Sequence, residues 1–457
     1  MQRNTYVALF ALALVGVSLS GCARPGEQPL IRAMKAAEDS RHAPTAIDRP
    51  DDVPPTAGLG QWLLRAERQN PGLEAAFYQW KAAVERIPQV RALPDPRLNY
   101  AYFLRNVETR VGPQQHGFMI SQTFPWFGKL ATRGDAALEA ARSAERHYEA
   151  LRLQLFFAVS REYAELYYLD RATRITDENL ELLSHWEEVA RAKFRAGTGT
   201  HAAVVQAQVE MGVLTDRLRT QRDERNAVLA DLNVLLSRPA DAPVVTPDGL
   251  ADENIDVSDA ELLATMRQMS PELQALQFEV ERKRDEVTLA RKEYFPDFTL
   301  GLGYTVTEEA LNPNLEDSGK DPLTAQVSIN VPLWRGKYAA GSREAEARLR
   351  AAQLEHADRE LKLDAYVKRA AFELRDAGRK VTLYRDTLIP KGNQSLQATS
   401  TAFEAGRLEF LNVIDAQRVL LEFQLAYERA SADQLLRLAK IEMLVGRQLP
   451  RVGGMGE

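Results

Sequence analysis

Asp415 sits in Asn412-Val413-Ile414-Asp415-Ala416-Gln417, nine residues past Gly406, on a stretch with helical spacing. Its counterpart about 209 residues earlier is Gln206, so one position is charged where its match is neutral. In a symmetric tube, one such residue per chain becomes a ring of carboxylates, and charged rings select and gate cation passage. The alternatives are a solvated helix face or an ion pair with Arg407 or Arg418. The other reactive residue types form no constellation. No two of the six histidines (His42, His116, His147, His185, His201, His356) have the spacing of a local metal pair. Walker A, dinucleotide-binding and nucleophile-elbow motifs are absent. Met266 and Met269 have the softness for monovalent copper, but their setting suits helix packing better. Gly301-Leu302-Gly303 falls inside a strand pattern. No catalytic, cofactor-binding or metal residue is therefore assigned, and an enzyme is not expected.

The residues that would be modified or anchored lie elsewhere. Arg3 and an apolar run from Tyr6 to Leu19 precede Leu19-Ser20-Gly21-Cys22, which resembles a bacterial lipoprotein signal. Residues 1–21 are expected to be removed and Cys22 to be lipidated, with palmitate among its acyl groups. Ala23 at the next position permits outer-membrane delivery under the sorting rule for such lipoproteins. Cys22 is the only cysteine, so no intrachain disulfide is possible. Trp126 and Trp334 hold matching places just after strand patterns. Each suits a membrane-interface anchor or burial at a strand–helix junction.

The elements that must position these residues occur twice. Asn70-Pro71-Gly72-Leu73 returns as Ser270-Pro271-Glu272-Leu273, and Pro94-Asp95 as Pro296-Asp297. Gly128-Lys129 returns as Gly336-Lys337, and Phe194-Arg195-Ala196-Gly197 as Phe403-Glu404-Ala405-Gly406. The order is kept at an offset of about 200 residues, which is a duplicated half-protein rather than a short solenoid unit. Each copy reads as helix, β-hairpin, very long helix, turn and returning helix. Leu98, Tyr100 and Tyr102 alternate with Asn99 and Ala101, and Phe298, Leu300 and Leu302 alternate with Thr299 and Gly301. Strands of about ten residues alternating in this way are the signature of a transmembrane β-barrel. A loop over 307–322, acidic and turn-rich, reads as solvent-exposed.

Residues 130–195 contain no proline and only Gly134 as glycine. A helix of that length spans roughly 100 Å. Its twin over 338–404 is interrupted by Gly341, Gly378, Pro390 and Gly392. Leu155, Val159, Tyr163, Leu166 and Leu169 form a packing stripe on the first, and Leu438, Ile441 and Val445 one on the last helix. Glycine turns at 196–200 and 405–407 end the long helices.

Composition narrows the class further. With 45% hydrophobic and 27% charged residues the chain is neither disordered nor a polytopic helical membrane protein. A net charge of −6 gives no reason to expect nucleic acid as partner. The expected layout is signal peptide 1–21, lipid-anchored extended tether 22–58, repeat one 59–238, crossover 239–257, repeat two 258–450 and a flexible tail 451–457.

The order of these motifs resembles the TolC-type outer-membrane efflux channels, in their lipidated branch serving multidrug and heavy-metal pumps. The resemblance implies a mainly α fold with a membrane β-barrel part. A long α-helical barrel would continue from four strands per chain, three chains completing a twelve-stranded barrel. It implies a homotrimer that meets a periplasmic adaptor and an inner-membrane pump of RND type, with outer-membrane lipid around the barrel. The adaptor-contact tips fall on Gly197, Thr198, Gly199, Gly406 and Arg407. The periplasmic gate falls on Asp415, Asn412 and Arg407. Many members are acidic at both positions matching Asn412 and Asp415; here only Asp415 is. The position of the basic latch falls on Leu408, with Arg407 beside it. The implied cargo is small toxic solutes, drugs or metal cations. A duct for type I protein secretion and a periplasmic lipoprotein scaffold without a pore are the alternatives.

Overall fold

The computed structural model describes residues 26–42, 53–105, 107–251, 255–312 and 314–451. It divides into two compact units, each assembled from both halves of the sequence. The first comprises Met1–Ser40, Trp80–Arg142 and Phe278–Gln353; the second comprises Arg41–Gln79, Ser143–Gln277 and Leu354–Glu457. Cys22 and the 1–21 segment lie outside the described residues, as do 452–457 of the tail.

The first unit holds one antiparallel sheet, in the order β1 (Arg97–Tyr102), β2 (Gln114–Phe124), β3 (Phe298–Thr307), β4 (Leu323–Ile329). The two hairpins of the duplicated sequence thus join through β2 and β3. The register pairs Tyr100 with Phe118, Phe118 with Tyr304, and Leu300 with Val327. Directly opposed residues share a face. One face therefore carries Leu98, Tyr100, Ile120, Leu302, Val327 and Ile329. The other carries Asn99, Gly117, Ser121, Gly301, Gln326 and Ser328. The apolar face is exposed, most strongly at Leu98, Leu323 and Val327. A Cβ on Gly303 would stand 2.6 Å from Thr324 Oγ1, so this glycine lets β3 and β4 approach.

Only β2 and β3 reach the ten-residue length expected. β1 and β4 have six and seven residues, because each pairs on one side alone. The loop after β3 is largely exposed, as its composition leads one to expect. It bonds to the loop after β1, through Glu308 N–H to Pro113 O at 2.9 Å and Gly319 N–H to Val111 O at 2.7 Å, and buries Ala310.

The extended tether expected over 22–58 is corrected in its described part. Helix α1 (Gln28–His42) lies there, with Leu30 and Met34 buried one helical turn apart. Glu38 pairs with Lys81 at 2.6 Å, and Glu27 pairs with Arg91. Val53 and Ala57 are also buried, in the second unit, and Pro55 O accepts Val245 N–H at 2.8 Å. The spacing of Leu30, Met34, Val53 and Ala57 is too sparse to stand out among prolines and charges. Their burial comes from neighbours distant in the chain.

The helix expected at the start of the first copy is divided into α2 (Leu59–Gln69) and α3 (Pro71–Arg91). The duplicate divides likewise into α6 (Asp259–Met269) and α7 (Pro271–Lys292). Proline forces the preceding residue out of helical backbone; Asn70 has φ −73°, ψ 118° and Ser270 has φ −59°, ψ 115°. Asn70 turns the break into a start, since its Oδ1 accepts Leu73 N–H at 3.1 Å.

Helix α4 (Lys129–Arg195) runs 67 residues without interruption. Its one glycine, Gly134, makes room for the side chain of Arg91, whose Nη2 lies 3.0 Å from Asp135. Helix α5 (His201–Leu235) returns from it. The twin rod is α8 (Arg335–Leu383), a π-helical turn Tyr384–Leu388, and α9 (Ile389–Glu404). The interruption expected there is a local widening rather than a break. Pro390 has no N–H and its ring would clash with the carbonyl four residues back; one extra residue in the turn relieves both. Helix α10 (Phe410–Val445) closes the second copy.

Both stripes read from the sequence are buried. Leu155, Val159, Tyr163, Leu166 and Leu169 are at most 9% exposed. Leu438, Ile441 and Val445 join Leu262, Met266, Val367 and Leu374 in one core cluster. Met266 is thus a packing residue, while Met269 is exposed. No helix among the described residues is long and apolar enough to cross a membrane. Truncating a fully buried aliphatic residue of this kind costs about 2–5 kcal/mol. Ile441→Ala should therefore lower the thermal unfolding midpoint clearly, whereas Met269→Ala should leave it nearly unchanged. Equal midpoints for the two variants would contradict the core placed here.

Candidate functional site: the helix tips and the strand–helix junctions

The α4–α5 turn is set by Gly197, which has φ +71°. Gly197 N–H bonds Phe194 O at 3.0 Å and Thr198 N–H bonds Lys193 O at 3.0 Å. The α9–α10 turn repeats this, with Gly406 at φ +70°, Gly406 N–H to Phe403 O at 2.9 Å and Arg407 N–H to Ala402 O at 2.8 Å. Both are Schellman caps, in which a left-handed glycine lets two orphan carbonyls of the last turn be satisfied. Gly199 N–H adds a third bond to Lys193 O, and Thr200 caps α5 by accepting Ala203 N–H.

The two turns are tied to each other. Lys193 Nζ donates to Phe403 O at 3.1 Å and Glu404 O at 2.9 Å, and lies 5.1 Å from the Phe403 ring centroid. A cation at carbonyls of a helix C-terminus also meets the negative end of the helix dipole. Beneath it Trp186, Val204, Phe403, Phe410, Val413 and Ile414 form a buried cluster. The sequence reading missed Lys193. Its only signal was a lysine in the last turn before a capping glycine.

The residues assigned to a gate are placed but not joined. Asp415 is exposed and lies 3.7 Å from Arg418 Nη1. Arg418 bonds the buried carboxylate of Glu210 more closely, and that contact, ahead of Asp415, raises the guanidinium pKa. Asn412 donates its side-chain amide to Glu409 O at 3.2 Å, within the first turn of its own helix. Arg407 is exposed, and no ion pair joins it to Asp415 among the described residues. A single chain thus presents Asp415 to solvent with Arg418 as its nearest cation.

Deeper in the same unit, Glu428 of α10 accepts Tyr167 Oη–H at 2.6 Å and Arg171 Nε–H at 2.9 Å. Arg171 and Arg174 both approach Asp248, at 3.8 Å and 2.7 Å, so the crossover segment is held by the same cluster. Burial raises the Glu428 carboxyl pKa, opposed by the Tyr167 hydrogen bond.

In the first unit the strand–helix junction holds a second polar cluster. Lys129 is 1% exposed; its Nζ reaches Asp297 Oδ1 at 2.9 Å and Phe295 O at 3.0 Å. The same Asp297 oxygen accepts Trp126 N–H at 2.7 Å. Trp126 stacks on Phe295, with centroids 5.2 Å apart and planes at 10°. The Pro-Asp lead-in of one copy therefore binds the Gly-Lys exit of the other. Trp334, the counterpart of Trp126, is 77% exposed. The two tryptophans expected to act alike are in different surroundings.

Two copies of one helical plan, with hairpins apolar on a single face, define a class of outer-membrane channel proteins that carry long helices. The family model described as "Outer membrane efflux protein" matches residues 62–234 and 262–447, one segment in each copy, and the chain belongs to that family. It is similar to the cobalt-zinc-cadmium resistance protein CzcC of Cupriavidus metallidurans, at 23% identity over 84% of this chain and 89% of the relative. It is also similar to the outer membrane protein TolC of Vibrio cholerae, at 22% identity over 85% of this chain and 90% of the relative. Among solved structures, the outer membrane protein VceC of Vibrio cholerae superposes with a TM-score of 0.72 at 19% identity, covering 86% of this chain and 97% of that one.

Two outcomes follow from this geometry. Lys193→Met removes the donor to both α9 carbonyls, so amide hydrogen exchange at 402–407 should quicken several-fold while the buried stripe near 159–169 stays protected; unchanged exchange at the tip would refute the tie. Glu428 holds its proton more tightly folded than unfolded. Its contribution to stability is present below the ordinary carboxylate value of about 4.3 and is lost as pH rises through the raised folded value. Glu428→Gln should flatten that part of the melting-temperature profile above ~pH 4, and parallel profiles for the two proteins would rule it out.

Proposed function

We propose that this chain is one subunit of the outer-membrane duct of a tripartite efflux system. In this reading three copies close a twelve-stranded barrel in the outer membrane, with lipid against the apolar face of the sheet. Their helices line a passage through the periplasm. The observation that carries the reading is the sheet itself. It exposes an apolar face, turns small and polar residues the other way, and leaves the outer edge of β1 and of β4 unpaired. A hydrocarbon environment tolerates no open sheet edge, so closure by further copies satisfies what one chain cannot. Cys22, lipidated after removal of residues 1–21, would anchor each chain to the membrane. Trp126 and Trp334 would stand at the periplasmic rim of the barrel.

The tips around Gly197, Thr198, Gly199, Gly406 and Arg407 would meet a periplasmic adaptor coupled to an RND-type inner-membrane pump, which would supply the energy. Asp415, exposed and 3.7 Å from Arg418 of its own helix, would form one carboxylate per chain around the passage, with Asn412 and Arg407 nearby. Opening would be a rearrangement of packed tip helices, in which the Lys193 tie is a contact to be released or kept. The cargo is small toxic solutes. Metal cations are favoured by the similarity to the cobalt-zinc-cadmium resistance protein. No observation on the structure favours protein secretion or a poreless scaffold over this reading.

Planar-bilayer conductance of the detergent-purified protein, with oligomer mass measured on the same sample, tests it. A trimer that inserts and conducts is expected, and Asp415→Ala should raise its leak conductance and weaken block by divalent cations. A monomer that neither inserts nor conducts would sink the channel reading. A conducting trimer whose leak and cation block ignore Asp415→Ala would sink the gate assignment alone.

A further inference from the structure

The Lys129–Asp297 junction joins the exit of β2 to the lead-in of β3 inside one chain. Duplication supplies the same parts at the two outer edges. Asp95, Pro96 and Leu98 stand before and in β1 as Asp297, Phe298 and Leu300 stand before and in β3. Trp334, Gly336 and Lys337 follow β4 as Trp126, Gly128 and Lys129 follow β2. One backbone bond is shared too: Lys129 N–H bonds Trp126 O at 3.0 Å, and Lys337 N–H bonds Trp334 O at 2.9 Å. Yet the outer parts are unmatched in one chain. Asp95, Lys337 and Trp334 are exposed, and neither Asp95 nor Lys337 has an ion pair among the described residues. The cation of Lys337 rests 5.7 Å from the ring centroid of its neighbour Tyr338.

We propose that a second copy of this chain supplies the missing half, with Lys337 pairing with Asp95 of the partner subunit as β4 pairs antiparallel with the partner subunit's β1. This rests on the trimer reading above and adds its register. Inside the chain Phe124 opposes Phe298. Their counterparts are Val331 and Pro96, because Val331-Pro332-Leu333-Trp334 carries one residue more than Phe124-Pro125-Trp126. Val331 opposite Pro96 sets Ile329 opposite Leu98 and Val327 opposite Tyr100. All of these belong to the apolar face of the sheet. A slip of one residue would set Ile329 opposite Asn99 and mix the two faces, which strand pairing with one apolar face strongly disfavours. The internal junction selects this register, and the face alternation agrees with it by excluding slips of an odd number of residues. Trp334 would then lie over Leu93 of the partner subunit, as Trp126 lies over Phe295.

The register can be read by disulfide cross-linking of the full-length protein, purified in detergent with Cys22 retained. Directly opposed residues have Cα atoms ~4.5–5.5 Å apart, within disulfide range; diagonal neighbours stand about 7–8 Å apart. Within one chain the outer strands are three strand spacings apart, about 14 Å, so a bond between them must link two copies. Leu98→Cys with Ile329→Cys, treated with a mild oxidant, should give covalent dimers and trimers that reductant dissolves. Leu98→Cys with Val327→Cys should give few or none. Cross-links confined to the second pair would overturn the register. A trimer by mass with no cross-link in either pair would overturn the pairing while leaving the trimer reading intact. A monomer by mass would overturn both. The ion pair is tested separately, without cysteine. Asp95→Lys and Lys337→Asp should each lower the temperature at which the trimer dissociates by several degrees, and the double exchange should restore most of the loss. Dissociation unmoved by either single change would remove the Lys337–Asp95 contact.

Discussion

Every backbone N–H and C=O buried away from water must find a partner, and a sheet can meet that demand only along edges that another strand covers. The four strands of this chain pair along three seams and stop. The central seam, β2 to β3, is made by the two copies of a duplicated sequence meeting each other. It is braced at its end by Lys129, whose charge is buried against Asp297 and a backbone carbonyl. A buried ammonium is costly without such partners, so this junction fixes where the strands end and the long helix begins. The outer strands carry the same signals with no strand to meet. The sheet of one chain therefore ends in two open edges.

Duplication makes the two halves alike where backbone geometry demands it and unlike where the surroundings differ. The tips are alike, because a left-handed residue with two satisfied carbonyls is the common way to stop a long helix. Gly197 and Gly406 have the same φ within a degree and the same pair of bonds. The exits from the strands are unlike. Gly128 has φ +79° beside the amine of Lys292, whereas Gly336 already lies in the first turn of α8. The rods are unlike too, since only the second carries a proline and the π-helical turn that accommodates it. Such departures give a channel subunit two non-identical tips, one bearing Asp415 and one bearing Gln206.

What held the helices together was largely visible in the spacing of apolar residues. The stripe from Leu155 to Leu169 and the one from Leu438 to Val445 are periodic over several turns, and both are buried. The polar ties were not visible. Lys193 to the α9 carbonyls, Arg418 to Glu210, and Tyr167 with Arg171 to Glu428 link residues more than 200 positions apart. A charged residue on a helix looks the same in sequence whether it is solvated or buried against a partner. The N-terminal helix Gln28–His42 was missed for a related reason, as its few apolar residues gain meaning only from the helices that cover them.

The sequence by itself determined the duplication, the order of elements, the caps that end the rods, the alternation that gives the sheet an apolar face, and the family. These are local signals, written in dihedral preferences and in periods of 2 and 3.6 residues, and they need no knowledge of distant contacts. Only the tertiary structure decided that the two hairpins join through β2 and β3, that Lys129 is buried on Asp297, that Trp126 is stacked while Trp334 is bare, and that Asp415 faces solvent beside Arg418. The strand pairing, the buried lysine and the stacked tryptophan depend on which segments meet after the chain has folded back over some 160 or more residues; Asp415 and Arg418 share one helix, and what is decided there is that no distant segment covers them. The free energy of such a meeting belongs to the pair and is carried by neither residue alone.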